Sequence, residues 1–215
     1  MTFILNQNPS IGNTFLAELR DSEIQKDSMR FRRNLERVGE LLAYEISKTL
    51  QFHEVAVETP LGIANTNLVK DRVVLGTILR AGLPLHQGFL NYFDKSENAF
   101  VSAYRMHHKD GTFEIKMEYI SCPDLNDCQL ILIDPMIATG ASIEVTLKGL
   151  HNYGKPAQIH IAAAVAASYG IDYIKRRYPE VKFWLGALDE ELTAKSYIVP
   201  GLGDAGDLAF GPKLQ

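Results

Sequence analysis

Cysteine is scarce in this chain of 215 residues. There are two, Cys122 and Cys128, and they form no Cys-x-x-Cys pair. That excludes a disulfide-stapled framework, and reduced thiols in a cytoplasmic protein are the default reading. No run of about 20 apolar residues exists, so nothing is expected to span a membrane. The N-terminus lacks a basic start followed by an apolar core, so no secretory signal is visible. Lys and Arg number 22 against 26 Asp and Glu, a net charge of −4. An extended nucleic-acid surface needs clustered cations and is not expected. Six histidines are scattered, and the one adjacent pair, His107-His108, would face opposite ways on a strand. No zinc site is suggested. Gly-x-x-x-x-Gly-Lys-Ser/Thr does not occur, and no Gly-x-Gly-x-x-Gly lies in the strand-turn-helix segment 130–150. There is no internal repeat and no low-complexity linker, so 1–215 reads as a single domain.

What is present alternates. Phe31, Leu35, Val38, Leu42 and Ile46 recur at three- and four-residue spacing, predicting a long amphipathic helix over 28–50. Its Arg30, Arg32, Arg33 and Arg37 read most simply as a solvated face. A short strand is expected at 55–58, a buried strand at 72–79 and a helix at about 83–93. Further strands are expected near 99–104, 113–120, 129–134, 158–165 and 182–186, with helices near 141–153 and 170–178. The pattern predicts an α/β fold, a mostly parallel sheet flanked by helices. Asp110-Gly111 is a hairpin turn signal and breaks the rhythm, predicting a β-hairpin arm over about 103–118.

The most informative segment is Asp134-Pro135-Met136-Ile137-Ala138-Thr139-Gly140-Ala141-Ser142. It follows the apolar strand Leu130-Ile131-Leu132-Ile133 and precedes an amphipathic helix. Backbone N–H groups and the positive end of the helix dipole would converge there, and Thr139 and Ser142 add hydroxyls. A phosphate suits such a spot. A plain strand-to-helix turn capped by Ser142 fits the local pattern equally well.

Leu130 to Ser142 resembles the phosphoribosyl-pyrophosphate (PRPP) loop of type I phosphoribosyltransferases. Pro135 stands where most of that superfamily has a second acid, and Asp-Pro-Met-x-Ala-Thr-Gly is similar to the uracil phosphoribosyltransferase family. Ile78-Leu79-Arg80-Ala81-Gly82-Leu83 resembles that family's pyrophosphate loop. Tyr197 to Asp207 resembles its uracil-binding loop, which would form a C-terminal hood over the base.

The resemblance implies a reaction and a set of roles. Uracil and PRPP would give UMP and pyrophosphate. Arg80 and Arg105 would meet the pyrophosphate, Asp134 the ribose hydroxyls, and the backbone of 138–142 with Thr139 and Ser142 the 5′-phosphate, Pro135, Met136 and Ile137 completing the PRPP-binding loop. Asp204 would lie near PRPP through the waters of Mg²⁺, with no metal ligated directly by protein. Ile198, Gly203 and Ala205, beside Asp204, would offer backbone groups to uracil. A flexible arm carrying Tyr104-Arg105 would cover the site. Met106-His107-His108 depart from the acidic residues and threonine usual there, and Leu208 replaces a common arginine. The family also implies a homodimer or larger homo-oligomer and GTP as a possible effector. Two other classes fit the same motifs: an RNA-binding regulator, which usually keeps the second acid, and a non-catalytic uracil or UTP sensor.

Overall fold

A computed structural model of the chain describes residues 1–107 and 113–212, with backbone alone at 103–107 and 113–116. Strand β1 (Thr2–Ile4) leads to helix α1 (Ile11–Arg20), whose first turn is capped by the Ser10 hydroxyl accepting from Gly12 N–H. Helix α2 (Ser28–Ser47) starts at Asp27, whose carboxylate accepts from the Met29 and Arg30 amides. Strands β2 (Phe52–Thr59) and β3 (Gly62–Val69) follow, then β4 (Val73–Leu79), α3 (Leu83–Tyr92), β5 (Glu97–His107), β6 (Phe113–Ser121), β7 (Gln129–Ile133) and β8 (Met136–Ile137). The remaining elements are α4 (Ala141–Leu150), β9 (Gln158–Ala167), α5 (Ser168–Arg177), β10 (Lys182–Asp189), β11 (Glu191–Leu192), β12 (Ile198–Val199) and α6 (Ala205–Phe210).

The central sheet runs β1-β10-β9-β7-β4-β5-β6, with β8 paired to β9. All pairings are parallel except β5–β6. Consecutive side chains alternate faces. Ile131 and Ile133 enter the core shared with α1, α2, α3 and α6, while Leu130 and Leu132 enter the core shared with α4 and α5. That double burial explains the unbroken apolar run of β7.

Strand order places the site. β4 and β7 are neighbours, with Val73 opposite Gln129 and Thr77 opposite Ile133. From β4 the chain steps outward to β5 through α3 on one face. From β7 it steps the other way to β9 through α4 on the opposite face. The strand order reverses between β4 and β7, and a crevice opens at their carboxyl ends, where α/β sheets bind ligands.

The expected alternation is found from β4 onward, with three differences. The strand foreseen at 55–58 lies outside the main sheet, in an antiparallel hairpin with β3. Thr59 Oγ1 donates to Gly62 O at 2.8 Å and closes the turn at Pro60-Leu61, so the strand folds back locally. Phe52, Leu61, Ile63 and Leu68 are exposed on this hairpin. The helix foreseen at 141–153 ends at Leu150 and continues as one 3-10 turn. The arm foreseen at 103–118 is the β5–β6 pair, which keeps antiparallel register out to His107 opposite Phe113 after an irregularity at Ser102/Ala103. Its Asp110-Gly111 turn and His108 lie outside the described residues.

The arginines of α2 do more than face solvent. Arg30 pairs with Glu18, and Arg33 pairs with Glu36. Arg32 donates to Ala209 O at 2.6 Å, and the Arg37 guanidinium lies over Phe15. Arg32 and Arg37 thus tie α2 to α6 and α1, contacts that bridge distant parts of the chain and leave no local signal.

Candidate active site

Three loops meet at the crevice. The first follows β7. Asp134 N–H donates to Ala162 O, and Pro135 O accepts from the Ala164 and Val165 amides, so the loop is sewn to β9 before it turns. Gly140 is the N-cap of α4 at φ 83 and has no side chain to cap the helix. Ser142 therefore lies inside the first turn rather than at the cap. Gly140 is required twice over: its φ is left-handed, and an added Cβ would stand 3.0 Å from Gly170 O. Thr139 Oγ1 accepts from Ala141 N–H at 3.3 Å, and Asp134 Oδ1 lies 3.4 Å from Met136 N. A helix start that Gly140 leaves without a side-chain cap of its own is a geometry that suits an anion.

The helix start is braced from behind. Glu144, in the first turn of α4, accepts from Lys148 at 2.8 Å and from the Tyr173 hydroxyl of α5. Those two hydrogen bonds hold its carboxyl below the usual range, and the same carboxylate raises the Tyr173 phenol. Arg177 stacks on the Tyr173 ring at 3.8 Å. None of these residues stood out in the sequence.

The second loop follows β4. The Leu79–Arg80 peptide is cis. A Cβ on Gly82 would meet Thr77 Oγ1 at 2.2 Å and Ile78 O at 2.7 Å, so only glycine lets the chain fold this tightly onto the strand end. Arg80 Nη2 donates to Asp207 Oδ1 at 3.1 Å and to Gly211 O at 2.6 Å. The guanidinium thus faces the third loop, and in this arrangement carbonyl and carboxylate oxygens occupy the donors foreseen for pyrophosphate. Both members of the Arg80–Asp207 pair are over a third exposed, so the pair is weak and open to exchange for a phosphate.

The third loop runs from β12 into α6. Val199–Pro200 is cis, and Gly201 and Gly203 take φ 59 and φ 93. Ile198, Ala205 and Gly206 are buried, while Gly203 and Asp204 are exposed. Asp204 Oδ1 caps α6, accepting from Asp207 N–H at 3.0 Å. The Gly206 Cβ position is 3.8 Å from Ala81 Cβ and from Arg80 Nε, so the second and third loops touch. Leu208, in place of the common arginine, packs against the core beside Gly203. The Arg105 backbone lies in β5 opposite Ile115; its side chain is outside the described residues.

The family profile described as uracil phosphoribosyltransferase matches residues 6–212. The chain belongs to the uracil phosphoribosyltransferase family. A uracil phosphoribosyltransferase of Porphyromonas gingivalis is 53% identical over 98% of each chain. One from Thermococcus gammatolerans is 44% identical over 93% of this chain and 89% of that one. Among solved structures, the AQ2163 protein of Aquifex aeolicus superposes with a TM-score of 0.88 at 28% identity and covers both chains fully. The mostly parallel sheet with flanking helices is the expected α/β fold.

Three groups that bear on the site were not legible beforehand. Arg20 and Asp189 form a two-pronged ion pair against the third loop. Gly170 supports the first loop, a Cβ there falling 2.4 Å from Ala138 O. The Gln25 amide, assigned with its nitrogen toward the surrounding carbonyls because the opposite placement would set oxygen against oxygen, would donate to Leu202 O at 2.7 Å.

Proposed function

We propose that this chain is an enzyme of pyrimidine salvage, a pentosyltransferase that moves the phosphoribosyl group of PRPP onto N1 of uracil. The bond from the anomeric carbon to the pyrophosphate oxygen breaks, the bond from that carbon to N1 forms, and the N1 proton is released. UMP and pyrophosphate leave. The observation that carries this reading is the meeting of a glycine-capped helix start, an arginine loop and a glycine-bent backbone loop at one topological switch point.

The roles divide by charge. The 138–142 backbone, with Thr139 and Ser142, holds the 5′-phosphate, and Asp134 accepts from the ribose hydroxyls. Arg80 exchanges Asp207 and Gly211 O for pyrophosphate, with Arg105 brought over it by the arm. Positive charge builds on the ribose as pyrophosphate departs, so stabilising the leaving group and holding both reactants in line supply the rate. The bent loop reads uracil through backbone groups of Ile198, Gly203 and Ala205. Cytosine, with an amine at its 4-position, would lose a hydrogen bond there and bury an unpaired group, costing about 1–3 kcal/mol.

Among the described residues no three His, Cys, Asp or Glu side chains cluster as a metal cage. The exposed carboxylate of Asp204 at the crevice fits an ion held mainly by substrate oxygens and water. Mg²⁺ bound in that way would neutralise charge on the leaving group. No described helix is long and apolar enough to cross a membrane. A cytoplasmic location fits the two free thiols. A homo-oligomer fits the apolar side chains exposed on β2–β3, and sedimentation tests it.

The test is UMP formation from uracil, PRPP and Mg²⁺, run beside cytosine, orotate, hypoxanthine and adenine. Turnover with uracil alone is expected. No product with any base, with PRPP still bound, sinks the reading. GTP added to the same reaction tests the effector role.

A further inference from the structure

Against the third loop, the end of α1 and the end of β10 are joined by one ion pair. Arg20 Nη1 and Nη2 donate to Asp189 Oδ2 and Oδ1 at 2.8 and 2.9 Å, a parallel two-bond fork. Asp189 is 7% exposed and Arg20 is 22% exposed, so the pair lies largely out of water, where a fixed geometry persists.

The pair does not hold only itself. Asp189 Oδ2 also accepts from Gly201 N–H at 2.9 Å, and Arg20 Nη1 also donates to Gly201 O at 3.0 Å. Both backbone groups of one residue are therefore gripped by the two partners of one ion pair. Gly201 sits in the left-handed region at φ 59, with a would-be Cβ 2.2 Å from Ile198 O. The grip thus falls on the tightest point of the bend between Ile198 and Gly203. Rotation of the Gly201 peptides is the motion that would move those two residues relative to each other, and the grip opposes it.

We propose that Arg20 and Asp189 are positioning residues for base recognition, setting the backbone that reads uracil without touching uracil themselves. The proposal rests on the reading that this loop binds the base. A loop that recognises its ligand through backbone groups has no side chains to readjust. Its selectivity therefore depends on how firmly the backbone is held. A pair serving stability alone would weaken both substrate sites together. A positioning pair affects the base and spares PRPP, whose proposed contacts lie on the loops after β4 and β7.

The experiment compares wild type with Arg20→Lys, Arg20→Ala and Asp189→Asn, measuring KM for uracil and for PRPP separately, with thermal unfolding of each. Lysine keeps the charge but loses the fork. Asparagine keeps an acceptor for Gly201 N–H but not the ion pair. The expected result is a rise of about tenfold in KM for uracil, with KM for PRPP within about twofold. Guanidinium added to Arg20→Ala should lower KM for uracil again, a rescue that general loosening of the fold would not give. The proposal is overturned if KM for uracil stays at the wild-type value, if both KM values rise in parallel, or if guanidinium restores nothing. A wild type that makes no UMP is a different result and overturns the activity instead.

Discussion

A Cβ on Gly170 would lie 2.4 Å from the carbonyl oxygen of Ala138. Ala138 belongs to the proposed 5′-phosphate cradle, and Gly170 belongs to the first turn of α5, so the cradle rests on a helix that contributes nothing to it chemically. A real Cβ essentially never comes within 3.0 Å of such an atom. Gly170→Ala therefore must displace the cradle. A rise of about tenfold in KM for PRPP is expected, with a stability loss of about 1–3 kcal/mol. Unchanged PRPP kinetics in a folded variant would show that the cradle shifts without consequence.

Arg80 separates chemistry from stability. Its partner Asp207 is 40% exposed and Arg80 itself 38% exposed, so the pair contributes little to folding. Arg80→Ala should lower kcat by about two to three orders of magnitude, as loss of a leaving-group donor does. Arg80→Lys should recover only part of that, because an ammonium lacks the fork. A melting temperature close to wild type, measured beside the kinetics, is the second half of the prediction.

Much of this site could be read in the chain because each loop is local. Asp134 to Ser142 and Pro200 to Gly206 carry their bends and donors within a few residues. The sheet was readable because β4, β7, β9 and β10 are buried on both faces and so appear as apolar runs. The pieces that were missed act across long separations. Arg20 and Asp189 are 169 residues apart, and nothing around either marks the other. Gly170 resembles any helical glycine until Ala138 is placed against it. Of the β2–β3 hairpin only the strand at 55–58 was expected; β3 escaped because it is exposed along its length and buries no regular apolar stripe.

His160 should make the protein sensitive to acid. Its ring is buried, and burial is the main cause pushing the imidazole down to about 4, with Lys182 adding to it. Nδ1 accepts from Trp184 Nε1 at 3.0 Å, so Nε2 carries the proton and faces Gln129 Oε1 at 3.1 Å. An unfolded histidine takes up a proton near pH 6.5, whereas the folded one resists until about pH 4. This contribution is complete above about pH 6.5 and is lost as pH falls from there to about 4, by up to about 3 kcal/mol. The difference in unfolding free energy between wild type and His160→Gln, followed from pH 7 to pH 4, should shrink by that amount. A difference independent of pH would rule the mechanism out.

Thr77 and Gly82 make an opposed pair of predictions at the floor of the arginine loop. Thr77 Oγ1 is buried and has no hydrogen-bond partner among the described residues. An unsatisfied buried hydroxyl costs free energy that a methyl group of the same shape does not. Thr77→Val should therefore hold or raise stability, by up to about 1 kcal/mol. Gly82→Ala acts on the same contact from the other side, driving a methyl to 2.2 Å from that hydroxyl and 2.7 Å from Ile78 O. The strand end gives no room, because a third atom, Ile133 O, waits at 3.2 Å. Gly82→Ala should cost about 1–3 kcal/mol and lift Arg80 away from the crevice, lowering kcat with it. Chemical denaturation of the two variants decides the matter. A destabilised Thr77→Val would mean that the hydroxyl has a partner, such as a buried water, and that the floor of the loop is polar rather than dry.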